Sequence, residues 1–177
     1  MLELPFVAAH DEHHCIAVCG NIVLVRWLKS IRVPAVRNMQ SILFKATQES
    51  PANTAGLVTM IAKKCDAPTA EARRALLDYD PAGRYVPHAI LLEMDGFMGA
   101  VVRSVLAGLN LAKRVRYPET FFTDSSAAAT WLESKMIAKG GKAPPQASIT
   151  RSILWVREAA PSPQNATSSR LAGGQRF

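Results

Sequence analysis

Cys65 is the residue whose surroundings most invite chemistry. It stands in Lys63-Lys64-Cys65-Asp66-Ala67-Pro68-Thr69, where an apolar run gives way to a helical pattern. A helix N-terminus and two lysines favour a thiolate. Asp66 opposes it. Glu71 stands where a Cys-x5-Arg phosphate loop needs its arginine, and Cys-x-x-Cys is absent. A plain loop cysteine is the stronger reading, and an enzyme built on Cys65 is the remote alternative. Thr69 is the best phosphoacceptor in the segment, since a phosphate there would gain from the helix start and the lysines. A threonine that simply caps the helix is the simpler account.

His10, His13, His14, Cys15 and Cys19 are the only candidates for a metal cluster. On a strand Cys15 and Cys19 would lie about 13 Å apart at ~3.3 Å per residue, too far to share one ion. A polar turn explains the histidines better, so no metal is expected. Gly-x4-Gly-Lys-Ser/Thr is missing, and Gly96-Phe97-Met98-Gly99 does not match the dinucleotide fingerprint. No cofactor is expected.

The elements that would carry these residues change period along the chain. Phe6–Ala9, Cys15–Cys19 and Ile22–Trp27 read as strands, the last two joined by Gly20-Asn21, a hairpin signal. They lack clean polar alternation, which implies cover on both faces. From Pro34 to Gln48, Val36, Met39, Leu43 and Ala46 recur at helical spacing. Leu57–Ala62 reads as a buried strand. A second helix starts at Pro68-Thr69, with Ala72, Leu76 and Tyr79 on one face, and stops before Pro81. His88–Met94 is the next strand. Asp95-Gly96 opens a third helix with Phe97, Val101, Val105 and Leu109 inward. Thr120–Thr123 is a last strand. Asp124 or Ser125 caps a fourth helix bearing Ala128, Trp131, Leu132 and Met136. Ala100, Ser104 and Gly108 form a small-residue stripe, read as close packing in preference to a dimer face.

The expected fold is α/β: a mixed, mostly parallel sheet with an N-terminal antiparallel hairpin and four helices. Residues 1–138 form that domain. Residues 139–177 form a basic C-terminal extension, with a short amphipathic helix at 148–160 and a disordered end. Ile149, Ile153, Trp155 and Val156 are its docking residues. The chain is +2 up to Ala138 and +5 from Lys139 onward. The high pI thus comes from the extension, whose expected contacts with anionic partners are weak and salt-sensitive. Three cysteines fit a reducing cytoplasm. No signal peptide is read at the N-terminus. The longest uncharged stretches, His13–Val25 and Ser50–Ala62, fall short of the ~18 residues of a membrane span.

This order of elements resembles the anti-sigma-factor-antagonist (STAS) domains, and more closely the small bacterial STAS/Sec14-like proteins related to sporulation anti-anti-sigma factors. Ile22–Trp27, Asp95–Arg103 and Ala127–Leu132 carry the resemblance, which covers roughly residues 6–138. Many such domains carry Asp-Ser-Ser-Gly after the middle strand, with a phosphorylated serine. Here Lys63–Thr69 replaces it, and Asp124-Ser125-Ser126 sits before the fourth helix. The resemblance implies a non-catalytic regulatory or scaffolding module that binds a protein partner, with homodimerisation open. Its Sec14-like side implies a small apolar-ligand or lipid carrier as the alternative. Strand carboxyl ends in open α/β sheets gather ligands and partners. Lys63, Lys64, Cys65, Asp66 and Thr69 are therefore the candidate contact residues.

Overall fold

The computed structural model describes residues 5–78, 83–94, 96–112 and 117–159. Six strands form one sheet in the order β1-β2-β3-β4-β5-β6. β1 (Phe6–His10), β2 (His14–Cys19) and β3 (Ile22–Trp27) pair antiparallel. β4 (Gly56–Ile61), β5 (His88–Leu92) and β6 (Glu119–Phe122) continue from β3 in parallel. The fold is the mixed α/β sheet that the sequence predicts.

Local chemistry explains the turns. Asp11 Oδ1 accepts from the backbone N–H groups of His13 at 2.7 Å and His14 at 2.8 Å, closing the turn into β2. Gly20 adopts φ +56° at the β2–β3 turn, a conformation that favours glycine. Beside it, Asn21 donates to Ser50 Oγ at 2.9 Å and to the Lys142 carbonyl at 2.7 Å, tying the hairpin to two distant segments.

α1 (Val33–Gln48), α2 (Ala70–Leu77) and α3 (Gly96–Ala112) connect the parallel strands. Successive crossovers of one hand between neighbouring strands put all three on one face. Val36, Met39 and Leu43 of α1, Ala72 and Ala75 of α2, and Val102 and Leu106 of α3 share a core with Val23, Val25, Ile61 and Ile90. The chain then passes to the opposite face. α4 (Ser125–Ala138) and α5 (Gln146–Ala159) build a second core there, in which Ala128, Leu132, Met136, Ile149, Ile153 and Val156 meet Leu24, Val58, Met60 and Leu91. Both faces of β2 and β4 are covered, and every residue of these strands is buried. Gly56 lets α4 pack closely on the start of β4: a Cβ there would lie 2.9 Å from Leu132 Cδ2, which would have to shift.

Several expectations change. α5 is the short helix read at 148–160, begun two residues earlier, and its inner face, Ile149, Ile153 and Val156, joins the second core of the domain instead of standing apart in an extension. Val101 was expected to point inward, but it is 38% exposed; Val102 and Leu106 take the inward face. α3 is apolar on most sides, so its periodicity does not fix its rotation. The stripe of Ala100, Ser104 and Gly108 faces outward instead of packing, and nothing lies within 4 Å of a Cβ built on Gly108. The close approach belongs to Gly99, where a Cβ would stand 2.7 Å from the Met94 carbonyl. Tyr79, Pro81, Asp95, the side chains of Phe97 and Leu109, and the end of the chain from 160 lie outside the described residues.

Candidate functional site at the carboxyl ends of the parallel strands

The parallel strands end along one rim, and backbone hydrogen bonds hold that rim together. Ala62 N–H donates to the Trp27 carbonyl and Glu93 N–H to the Ile61 carbonyl, each at 3.0 Å. Asp66 N–H donates to the Lys29 carbonyl at 2.7 Å, docking the β4–α2 loop on the β3–α1 loop. This assembly brings Lys63–Thr69 to the rim, where sequence places it.

Within that loop the residues divide sharply. Lys63 and Lys64 are exposed, and neither ammonium has a partner among the described residues. Cys65 is 7% exposed, and its thiol donates to the Asp66 carbonyl at 3.4 Å. Burial first, and the Asp66 charge second, push its pKa up to about 12. Such a thiol holds its proton at neutral pH and is no nucleophile. The helix dipole does not rescue it, because the side chain turns inward ahead of α2. Thr69 is the N-cap of α2: its hydroxyl oxygen accepts from Ala72 N–H at 3.1 Å.

An apolar groove runs beside the loop. Ile31, Ile61 and Pro68 form one wall and Val102, Val105 and Leu106 of α3 the other, with Asp66 at its mouth. Its free space is about 10 Å³, enough for roughly one water.

Under the opposite face, four segments meet through charge. Arg26 of β3 donates through Nη2 to Glu93 Oε2 at 2.8 Å and through Nη1 to the Arg157 carbonyl at 2.6 Å. Arg157, in the last turn of α5, donates through Nε to Glu93 Oε1 at 3.0 Å and through Nη1 to Ser125 Oγ at 3.0 Å. One carboxylate thus organises two guanidinium groups, and Arg26 also satisfies a carbonyl at the α5 C-terminus. Arg157, counted above with the basic extension, belongs to this cluster. Ile149, Ile153 and Val156 sit buried on the sheet, and Trp155 is half-buried beside them.

At the other end of the sheet, His88 lies between Thr59 Oγ1 at 2.8 Å and Glu119 Oε2 at 3.0 Å. Sequence reading missed both clusters. For the first, the available signal was a lone charge inside each apolar strand pattern, Arg26 within Ile22–Trp27 and Glu93 within His88–Met94, but nothing local says that they meet. Among the described residues, no three His, Cys, Asp or Glu side chains converge as metal ligands, and no helix is long and apolar enough to cross a membrane. No family model, curated protein or solved structure matches the chain.

Proposed function

We propose that this chain is a non-catalytic regulatory or scaffolding module of the cytoplasm, and that it binds a protein partner through the rim formed by Lys63–Thr69 and α3. One observation carries the reading: two exposed lysines without partners among the described residues stand in the same loop as Asp66, Ala67 and Pro68, which line an apolar groove. That pairing of orienting charge with a dry strip is the composition of a protein-contact surface. The order of elements resembles STAS domains, which supports the same class. The apolar lining of the groove also favours the second reading, a carrier of a small apolar ligand. Its free space of about 10 Å³ is far below the roughly 300 Å³ at which small-molecule pockets begin, so the contact reading is preferred.

A photo-crosslinking amino acid placed at Ala67 tests the proposal in the native cell. The expected result is one dominant protein adduct, reduced at least fivefold by Lys63→Glu with Lys64→Glu and leaving the melting temperature within about 2 °C. Undiminished adduct in the double variant overturns the rim as the contact surface. A lipid that copurifies and appears in native mass spectra selects the carrier reading.

A further inference from the structure

The net charge of +2 on residues 1–138 conceals a segregation. Residues 28–118, from the end of β3 to the start of β6, hold 13 Lys and Arg against 7 Asp and Glu, a net of +6. Residues 119–159, which build β6, α4 and α5, hold 5 against 4. The excess belongs to the part of the chain that makes α1, α2 and α3. We propose that the outer side of these three helices is a contact surface for an anionic lipid bilayer. Its cations meet the headgroups, and the outer side of α3 reaches the edge of the acyl region. The surface is distinct from the groove beside Pro68, which uses the opposite flank of α3.

The cations lie in the middle of the face. Arg37 and Lys45 of α1, Arg73 and Arg74 of α2 and Arg103 of α3 are all exposed. Glu71 is the one acid in the three helices, and Arg74 attracts it from one turn on. Arg37, Arg73 and Arg103 have no partner among the described residues. The exposed acids Glu49 and Asp78 cap the carboxyl ends of α1 and α2, and Asp66 sits in the β4–α2 loop beside Lys63 and Lys64, so all three stand at the margins. α2 packs against both α1 and α3. Their exposed sides therefore form one broad surface, about 25 Å long at ~1.5 Å per residue and roughly 20–30 Å wide at ~10 Å per helix.

α3 supplies the apolar part. Arg103 is the only charge in its 17 residues. Val102 and Leu106 pack on the sheet, whereas Ala100, Val101, Ser104 and Ala107 are exposed, Val101 by 38%. A helix apolar on most sides belongs where both of its flanks meet apolar surroundings. The sheet provides one. A membrane interface, into which apolar helix faces sink by about 5–10 Å, provides the other. Phe44 of α1 is 39% exposed, and the Arg84 guanidinium lies 3.9 Å over its ring. An apolar body under a cation suits the boundary between acyl chains and headgroups. No helix among the described residues is long and apolar enough to cross a membrane, so this contact is peripheral.

The two patterns together select the bilayer over other anionic partners. Single-stranded nucleic acid takes cations along one track and aromatic faces for stacking. Here the cations spread over three helices, and the ring of Phe44 already carries Arg84. An acidic protein answers the cations but not the uncharged flank of α3. Each Lys or Arg close to an anionic leaflet strengthens binding about fivefold, so two arginines together are worth more than tenfold.

Vesicles of phosphatidylcholine, with and without phosphatidylserine, are the probes. The full chain is sedimented with each at low and high salt. Binding is expected to the anionic vesicles alone, and it falls as salt rises. Arg73→Gln with Arg74→Gln should weaken it at least tenfold, and Val101→Asp several-fold. Lys139→Gln with Arg151→Gln, on α4 and α5, and Arg170→Gln with Arg176→Gln, near the end of the chain, should leave it within twofold. Melting temperatures that stay with the parent separate lost contact from lost fold. The adduct formed at Ala67 is a separate readout, so failure of either surface leaves the other standing. Equal binding to neutral vesicles, or an Arg73→Gln, Arg74→Gln variant that binds anionic vesicles as the parent does, overturns the surface. So does loss of binding in the Arg170→Gln, Arg176→Gln variant. Indifference to vesicles, with capture of single-stranded RNA or polyglutamate that the α2 variant loses, overturns the bilayer and gives the face to that partner.

Discussion

The Nη1 of Arg26 donates a 2.6 Å hydrogen bond to the carbonyl oxygen of Arg157, joining the middle of the sheet to the last turn of α5. Both residues also bind Glu93, so one carboxylate sits between two cations. Removing it leaves two partly buried guanidinium groups facing each other. Glu93→Gln is expected to cost about 2 kcal/mol, and Arg26→Ala a similar amount. The double variant should cost less than the two singles added, because both break one network. Chemical denaturation of the three variants reads this out; strict additivity would separate the residues.

α5 supplies Ile149, Ile153 and Val156 to the core shared by β2, β3 and α4. A chain ending at Lys142 uncovers the surface of α4, β3 and β2 on which α5 packs. It is expected to lose cooperative unfolding, and Ile153→Ala alone should cost about 3 kcal/mol. A truncated chain that melts cooperatively near the parent temperature would place α5 outside the folding unit.

The thiol of Cys65 should be silent in the folded state. Its pKa near 12 and its burial both block alkylation at pH 8. Cys15 is also buried, and burial raises its pKa too. Labelling with iodoacetamide should therefore be slow for the native protein and at least 100-fold faster in denaturant, following the open fraction. Rapid native labelling at Cys65 would mean that the β4–α2 loop opens readily.

Much of this fold is written in local signals. Gly20-Asn21 marks the hairpin, Pro34, Thr69 and Asp124 mark helix starts, and uninterrupted apolar runs mark the doubly covered strands β2 and β4. The rotation of α3 was not legible, because a helix apolar on most sides has no single preferred face. The role of α5 was hidden for a different reason. Gly140-Gly141 and Pro144-Pro145 look like the end of a domain, while the surface that α5 covers is assembled from strands more than a hundred residues earlier. The position of Lys63–Thr69 on the rim followed from strand order. The inertness of Cys65 came from which way its side chain turns, and spacing does not encode that. Arg26, Glu93 and Arg157 meet only once the sheet and α5 are in place.

His14 gives the fold a dependence on pH. Burial holds its imidazole below the ordinary histidine value of 6.5, and the attraction of Asp11 only partly offsets this. His10 and His13 add to the depression, and the Trp27 ring lies 5.9 Å away. The unfolded chain therefore takes up a proton near pH 6.5 that the folded chain resists. Stability is complete above that pH and falls as the pH drops through it, because the unfolded state then binds more protons. Asp11 acts in the same direction at lower pH. Burial raises its pKa, but the N–H groups of His13 and His14 together with the imidazole charges outweigh that and hold it below 3.8. The urea midpoint should thus fall between pH 7.5 and pH 5.5, and His14→Gln should flatten that fall. Parallel pH profiles for the parent and His14→Gln would move the acid sensitivity to another histidine.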